Sequence, residues 1–303
     1  MKLFVTGASG YIGGSVASKL RDAGHEVLGL VRSDEKARLV KERGIEPIVG
    51  TLNDTLILQD AARRADGVIN AASSDHRGAV EALIGALERS GKLLIQTSGS
   101  SIVCDDVLGE SENPSIYDED THFEPIPSRQ ARVAIDRYIR EAGVYKGIRA
   151  IVICPTMVYG TGRGVHQESD QVPKLTLRSK ERGAGLYIGK GINRWSNVYI
   201  DDLVDLYLLV LEKAPAASFF FAENGESSLK EVAESVSWSL GYGGLTKTWD
   251  AEDAIARYGD WARFALASNS RVRAVNARRL GWSPKGPSLR ETVEGQSSGN
   301  SQR

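Results

Sequence analysis

Two cysteines, Cys104 and Cys154, are too few for a disulfide framework or a four-ligand zinc centre in a chain of 303 residues. They read as small buried hydrophobes in a reducing compartment. The four histidines, His25, His76, His122 and His166, share no ligand spacing, so no metal is expected. An excess of one charge sign is also missing. The 38 Lys and Arg stand against 39 Asp and Glu with no basic run, which removes the clustered cations needed to grip nucleic acid or an anionic membrane surface. No apolar stretch approaches the roughly 18 residues of a spanning helix. The opening MKLFVTGASG has too short an apolar run for a secretory signal. These absences predict a cytoplasmic protein, compatible with a homodimer, whose partner is a small molecule rather than nucleic acid or membrane.

Glycine, by contrast, is plentiful, at 32 residues. That suits tight turns and close backbone approach to a nucleotide. Short apolar runs at residues 2–5, 26–31, 46–49, 67–70 and 92–97 read as strands. They alternate with helical patterns at 11–23, 34–43, 56–65 and 77–90. Strands joined by helices run parallel, which predicts an α/β fold with a doubly wound parallel sheet. The loops starting at Gly7, Arg32, Gly50, Asn70 and Thr97 should then share one rim. Residues 99–126 lose the pattern and read as a loop over the site, before a helix at 129–142 and a strand at 149–154. Beyond Pro155 the composition shifts to GTGRG and GKGINRW. A helix at 201–213, a strand at 218–222 and a helix at 229–240 suggest a smaller lobe. The expected division is a dinucleotide-binding domain at 1–155, a substrate lobe at 156–295 with segments returning to the sheet, and a frayed tail at 296–303.

The first strand runs directly into Thr6-Gly7-Ala8-Ser9-Gly10-Tyr11-Ile12-Gly13, which opens the first helix. Gly7 suits the tight turn, Gly10 lets backbone touch a pyrophosphate, and Gly13 allows close packing of helix on strand. The helix start adds free N–H groups and a positive dipole end. Gly7, Ala8, Ser9, Gly10, Tyr11 and Ile12 are therefore expected to hold a dinucleotide. The second strand ends in Arg32-Ser33 rather than a carboxylate. Arg32 matches a ribose 2′-phosphate, so NADP (NADPH) is preferred and NAD is the alternative. Arg32 is also compatible with a solvated position while Ser33, Asp34 and Glu35 start the next helix.

Six segments together, T-G-A-S-G-Y-I-G, N-A-A at 70–72, T-S-G-S-S at 97–101, P-T-M-V-Y-G at 155–160, N-V-Y-I-D-D-L at 197–203 and L-G-W-S-P at 280–284, give the chain its likeness. It resembles the extended short-chain dehydrogenase/reductase family, and within it the NAD(P)-dependent epimerase/dehydratase branch. The resemblance implies a Rossmann domain in which Asn70, Ala71, Ala72, Thr97 and Ser98 line the cofactor. It puts Thr51 and Leu52 near adenine, although the family more often has Asp at position 51. It brings Pro155, Met157 and Val158 to the nicotinamide, with Tyr159 and Asn197 beside the substrate. Arg163, Arg194, Trp195, Arg271 and Arg273 fall in segments that meet a diphosphate in sugar-nucleotide relatives, which makes an anionic substrate conceivable.

The family's catalytic serine corresponds to Ser100, its tyrosine to Ser128 and its lysine to Arg132. The active-site tyrosine is thus absent. A serine hydroxyl is a poor acid, and Arg132 holds its proton at neutral pH while still able to orient a ribose. Tyr117, His122 and Tyr159 are the candidate replacements. The expected activity is reduction or isomerisation of a small polar carbonyl or alcohol with non-standard acid chemistry. The rival is a non-catalytic NADP(H)-binding sensor.

Overall fold

The computed structural model describes residues 1–295, so the tail expected at 296–303 lies outside the described residues. Its centre is a seven-stranded parallel sheet. In chain order the first half comprises β1 (Lys2–Thr6), α1 (Tyr11–Asp22), β2 (Glu26–Val31), α2 (Asp34–Lys41), β3 (Glu46–Val49), α3 (Thr55–Arg64), β4 (Gly67–Asn70), α4 (Arg77–Leu87), β5 (Leu93–Thr97), α5 (Gln130–Tyr145) and β6 (Arg149–Pro155). The inner strands are mostly apolar and buried because both faces are covered, as parallel sheets require, whereas the edge strand β3 is partly exposed. On one face Val16, Ala17 and Leu20 of α1 pack with Leu3, Val5 and Ile69. On the other, Leu58, Leu83 and Ile139 from α3, α4 and α5 pack with Phe4, Val68 and Leu94.

The second half continues as β7 (Met157–Tyr159), α6 (Gln171–Arg182), β8 (Gly185–Ile188), β9 (Arg194–Tyr199), α7 (Ile200–Lys213), β10 (Phe219–Ala222), β11 (Glu226–Ser228), α8 (Leu229–Ser239) and β12 (Thr246–Trp249). Two of these elements rejoin the first half. Strand β10 pairs with β6 at the edge of the main sheet, and α7 packs on α1. The sheet order is therefore β3-β2-β1-β4-β5-β6-β10. The remainder builds two small sheets, β11-β9-β7 and β12-β8, around Trp195, Leu229, Val236 and Trp249. The L-G-W-S-P segment anchors this half to α7, since the Trp282 indole N–H donates to the Asp202 carbonyl at 2.8 Å.

Strand order reverses between β1 and β4. A parallel sheet opens a crevice at the carboxyl ends of its strands at such a point, and the glycine loop after β1 sits there. Helix α6 is missing from the sequence reading. It has Pro173 in its first turn and buries only Leu175, Arg178 and Ser179, so it carries little apolar period.

Candidate functional site

The loop after β1 is shaped by its glycines. Gly7 has a φ of +71°, and a Cβ there would lie 2.9 Å from the Ala71 carbonyl oxygen. A Cβ on Gly13 would lie 2.4 Å from the Gly7 oxygen, so α1 reaches the strand only because no side chain intervenes. A Cβ on Gly10 would meet only the Gly7 oxygen, at 3.2 Å, and would otherwise point into open space. Gly10 is also the N-cap of α1 and supplies no side chain to its first N–H groups. An open, positively polarised helix end facing a cleft fits a pyrophosphate.

That cleft is a cavity of about 530 Å³. Its walls include Gly7, Ser9 and Gly10, then Arg32 and Lys36, then Thr51 and Leu52, then Ala71 and Ala72. The expected cofactor residues from four separate loops thus meet in one space. Among the described residues neither Arg32 nor Lys36 has a carboxylate partner. Ser33 caps α2 as expected, accepting from the Lys36 N–H. Thr51 stands where an acidic residue is more usual, and the nearby carboxylate is Asp54, whose Oδ2 accepts from the Thr51 N–H and hydroxyl at 2.6 and 2.8 Å.

Other expected cofactor residues shape the rim from beneath. The Thr6 hydroxyl donates to Asn70 Oδ1 at 2.5 Å and accepts from the N–H groups of Ala71 and Ala72. Asn70 donates onward to Gln96, Gln96 to the Thr97 carbonyl, and the Thr97 hydroxyl bonds the Tyr207 hydroxyl. This buried ladder crosses the ends of β1, β4 and β5 and fixes their spacing. Pro155 closes β6 opposite Ala222, while Met157 and Val158 lie buried in β7 opposite Asn197 and Val198. Ala8 is buried, and Ile12 packs on the core.

The catalytic set predicted from sequence is not assembled as a unit. Arg132 makes three hydrogen bonds to two partners: Nε and Nη2 donate to the Asp75 carboxylate at 2.8 and 2.6 Å, and Nη1 donates to the Ser101 hydroxyl at 2.9 Å. Its contact is therefore Ser101, not Ser100. Ser100 is 1% exposed, and its hydroxyl and carbonyl both accept from the Ser270 hydroxyl. Ser128 sits exposed in the short turn Pro127–Arg129 ahead of α5, because Pro127 starts a tighter turn there. The three candidate acids are each engaged elsewhere. Tyr117 packs edge-on against Phe123, His122 bonds exposed Glu124, and the buried Tyr159 hydroxyl donates to the Pro287 carbonyl. Burial raises the Tyr159 pKa, which makes it a weaker acid still.

Sequence reasoning missed Asp75, Ser101 and Lys36. The second serine of the G-S-S doublet was the only available sign of Ser101. The Arg132 hydrogen bond lowers the Asp75 pKa from its ordinary value. One turn along α5, Asp136 is 4% exposed and accepts from the Ser98 hydroxyl at 2.6 Å, while its other oxygen has no partner. Burial pushes its pKa up to about 7, against the opposing pull of Ser98 and Arg132.

The arginines of the second half are neutralised. Glu226, 14% exposed, accepts from Arg194 Nε at 2.7 Å and from Arg271 Nε at 2.9 Å, and lies 3.6 Å from Arg273. Arg163 pairs with Asp201 at 2.6 Å. Trp195 is a core residue that donates its indole N–H to the Ser268 carbonyl, and buried Asn197 bonds Ser227. Both cysteines are buried and unpaired, and among the described residues no group of three His, Cys, Asp or Glu could hold a metal. No helix among them is long and apolar enough to cross a membrane.

The sequence profile described as the NAD dependent epimerase/dehydratase family matches residues 3–219. The chain is 32% identical over 333 residues to Oxidase ucsJ of Acremonium sp, covering 97% of this chain and 95% of that one. It is 31% identical over 292 residues to the protein C2A9.02 of Schizosaccharomyces pombe, covering 94% and 95% respectively. Among solved structures, the UDP-glucose 4-epimerase of Thermotoga maritima with UDP-glucose has a TM-score of 0.77 at 20% identity, covering 98% of each chain. This last likeness is one of fold.

Proposed function

The chain belongs to the NAD dependent epimerase/dehydratase family, and from that premise we propose that it is an NADP(H)-dependent oxidoreductase acting on a small polar carbonyl or alcohol. The observation that carries the cofactor choice is the position of Arg32 and Lys36, two cations without carboxylate partners on the wall of the cavity that holds the glycine loop. A 2′-phosphate supplies the missing counter-charge. The arginine cluster supports a substrate with less negative charge than a nucleotide sugar, because Arg194 and Arg271 already share Glu226, with Glu112 beside Arg271 and Glu231 beside Arg194.

When bound, the cofactor supplies or accepts the hydride. Arg132 holds Ser101 through Nη1, which leaves the Ser101 proton free to point at a substrate oxygen. The guanidinium charge eases the build-up of negative charge on that hydroxyl. Asp75 fixes Arg132 in place. Because Ser101 is a weak acid even so, turnover is slow: a lost general acid is worth about 10²–10⁴-fold. One observation favours a second reading, an NADP(H) sensor: Ser100 is sealed against Ser270 and Ser128 lies outside α5.

The test is NADPH oxidation against a panel of aldehydes, ketones and keto-sugars, with Ser101→Ala, Ser100→Ala and Arg132→Ala beside the wild type. Loss of turnover in Ser101→Ala and Arg132→Ala with NADPH binding retained supports the enzyme. Tight NADPH binding without turnover on any substrate moves the reading to the sensor.

A further inference from the structure

The segment at residues 160–167, which links β7 to the approach of α6, lies across the outside of α1. Its seating is almost entirely backbone. The Tyr11 hydroxyl donates to the Gly160 carbonyl at 2.8 Å, the Arg163 N–H donates to the Ser15 hydroxyl at 3.0 Å, and the Ser18 hydroxyl donates to the Arg163 carbonyl at 3.2 Å. Two glycines touch where the chains cross. A Cβ on Gly164 would lie 2.7 Å from the Gly14 Cα, and one on Gly14 would lie 3.2 Å from the Gly164 Cα. A Cβ on Gly162 would lie 2.8 Å from the Tyr11 ring. The G-T-G-R-G run is thus required for this strap to reach α1. The strap closes on itself as the Gly162 N–H donates to the Gln167 carbonyl at 2.8 Å.

The seating has a consequence at the far end of the strap. Val165 and His166 line the same cavity as Gly10, Arg32 and Lys36. His166 is exposed and, among the described residues, has no hydrogen-bond or ion-pair partner. The crevice thus has a wall contributed from beyond β6. We propose that the strap is part of the cofactor site and that His166 donates a ring N–H to a phosphate of the bound dinucleotide, an inference that rests on the dinucleotide reading above. Imidazole has one such donor when neutral and two when charged.

The experiment is calorimetric titration of NADPH and NADH into the wild type, His166→Ala, His166→Gln and Gly164→Ala, with thermal unfolding of each as the control for folding. His166→Ala should weaken binding roughly tenfold, the size of one charge-assisted hydrogen bond at a partly open site, and His166→Gln should recover part of it. A loss confined to NADPH assigns the contact to the 2′-phosphate, and an equal loss for both assigns it to the pyrophosphate. Gly164→Ala, which lifts the strap, should weaken both. Wild-type binding in His166→Ala and Gly164→Ala overturns the strap proposal and leaves the dinucleotide reading intact. A wild type that binds neither cofactor overturns the dinucleotide reading and this proposal together.

Discussion

Arg132 on α5 holds Asp75 side-on, with Nε 2.8 Å from one carboxylate oxygen and Nη2 2.6 Å from the other. The pair ties α5 to the loop between β4 and α4 at the position where the family's lysine slot falls. Asp75 has 57% of its side chain exposed, so the pair adds only about 1 kcal/mol to stability. Its effect on the site is larger, because a guanidinium held by two parallel bonds keeps one orientation. Asp75→Ala should therefore lower the melting temperature by no more than a few degrees while reducing kcat together with Arg132→Ala, non-additively in the double variant. Additive losses would show that Asp75 does not act through Arg132.

Arg32→Ala and Lys36→Ala should each weaken NADPH by about 1–2 kcal/mol and leave NADH nearly unchanged, because a 2′-hydroxyl gives neither cation a charged partner. The double variant should bind the two cofactors alike. Calorimetry on the three variants decides this, and equal wild-type affinity for NADPH and NADH would remove the assignment.

Gly10→Val should abolish dinucleotide binding without unfolding the chain, since a side chain there points into the cavity rather than into the core. Gly13 is the contrast. A Cβ 2.4 Å from the Gly7 oxygen strikes backbone, so Gly13→Ala should lose stability as well as binding. Circular dichroism alongside cofactor titration separates the two, and a Gly10→Val variant that still bound would show that the pyrophosphate lies elsewhere.

The alternating half was legible because its strands are buried on both faces and its helices carry an apolar stripe. Strands β2, β3 and β4 fall at the residues read from sequence. Helix α6 was not, because it buries Arg178 with its guanidinium 5.3 Å from the centre of the Trp249 ring, and a buried arginine erases apolar periodicity. The glycine loop was legible as chemistry, since its residues are adjacent in sequence. Ser101, Asp75 and Arg132 were not legible as a group. Their contacts span 31 and 57 residues of sequence, and a motif aligned to a family cannot choose between neighbouring serines.

Glu226→Gln should expose what the arginine cluster can bind. The wild type should show no measurable affinity for UDP-glucose, because Arg194 and Arg271 are already paired. The variant loses a carboxylate only 14% exposed and leaves Arg271 with Glu112 at 3.1 Å and Arg194 with Glu231 at 3.7 Å, a weaker compensation that should cost about 1–3 kcal/mol of stability. Part of that loss should return on adding inorganic phosphate or UDP-glucose as a replacement anion. Wild-type binding of UDP-glucose, or an unfolding transition in the variant that neither anion moves, would refute this picture of the cluster.

The pH dependence of stability should report on Asp136. Burial raises its folded pKa to about 7, above the 3.8 of the exposed group, so the folded state holds the proton more tightly than the unfolded one. The protein then has its full share of stability from this group below about pH 4, loses it progressively as pH rises to about 7, and changes little above that. A shift of about 3 pKa units sets an upper bound of about 4 kcal/mol on the change. Asp75 acts in the opposite sense and outside this window, since its folded pKa is lowered and its contribution is lost only as pH falls below the ordinary carboxylate range. Asp136→Asn keeps an oxygen for the Ser98 hydroxyl and has no proton to release, so its stability should vary less than the wild type's between pH 4.5 and 7.5. Ser98→Ala removes the hydrogen bond that favours the carboxylate and should move the wild-type midpoint to higher pH. Denaturant unfolding across that range measures all three chains. Parallel curves for wild type and Asp136→Asn would mean that Asp136 stays ionised in the folded protein, with its second oxygen reached by water.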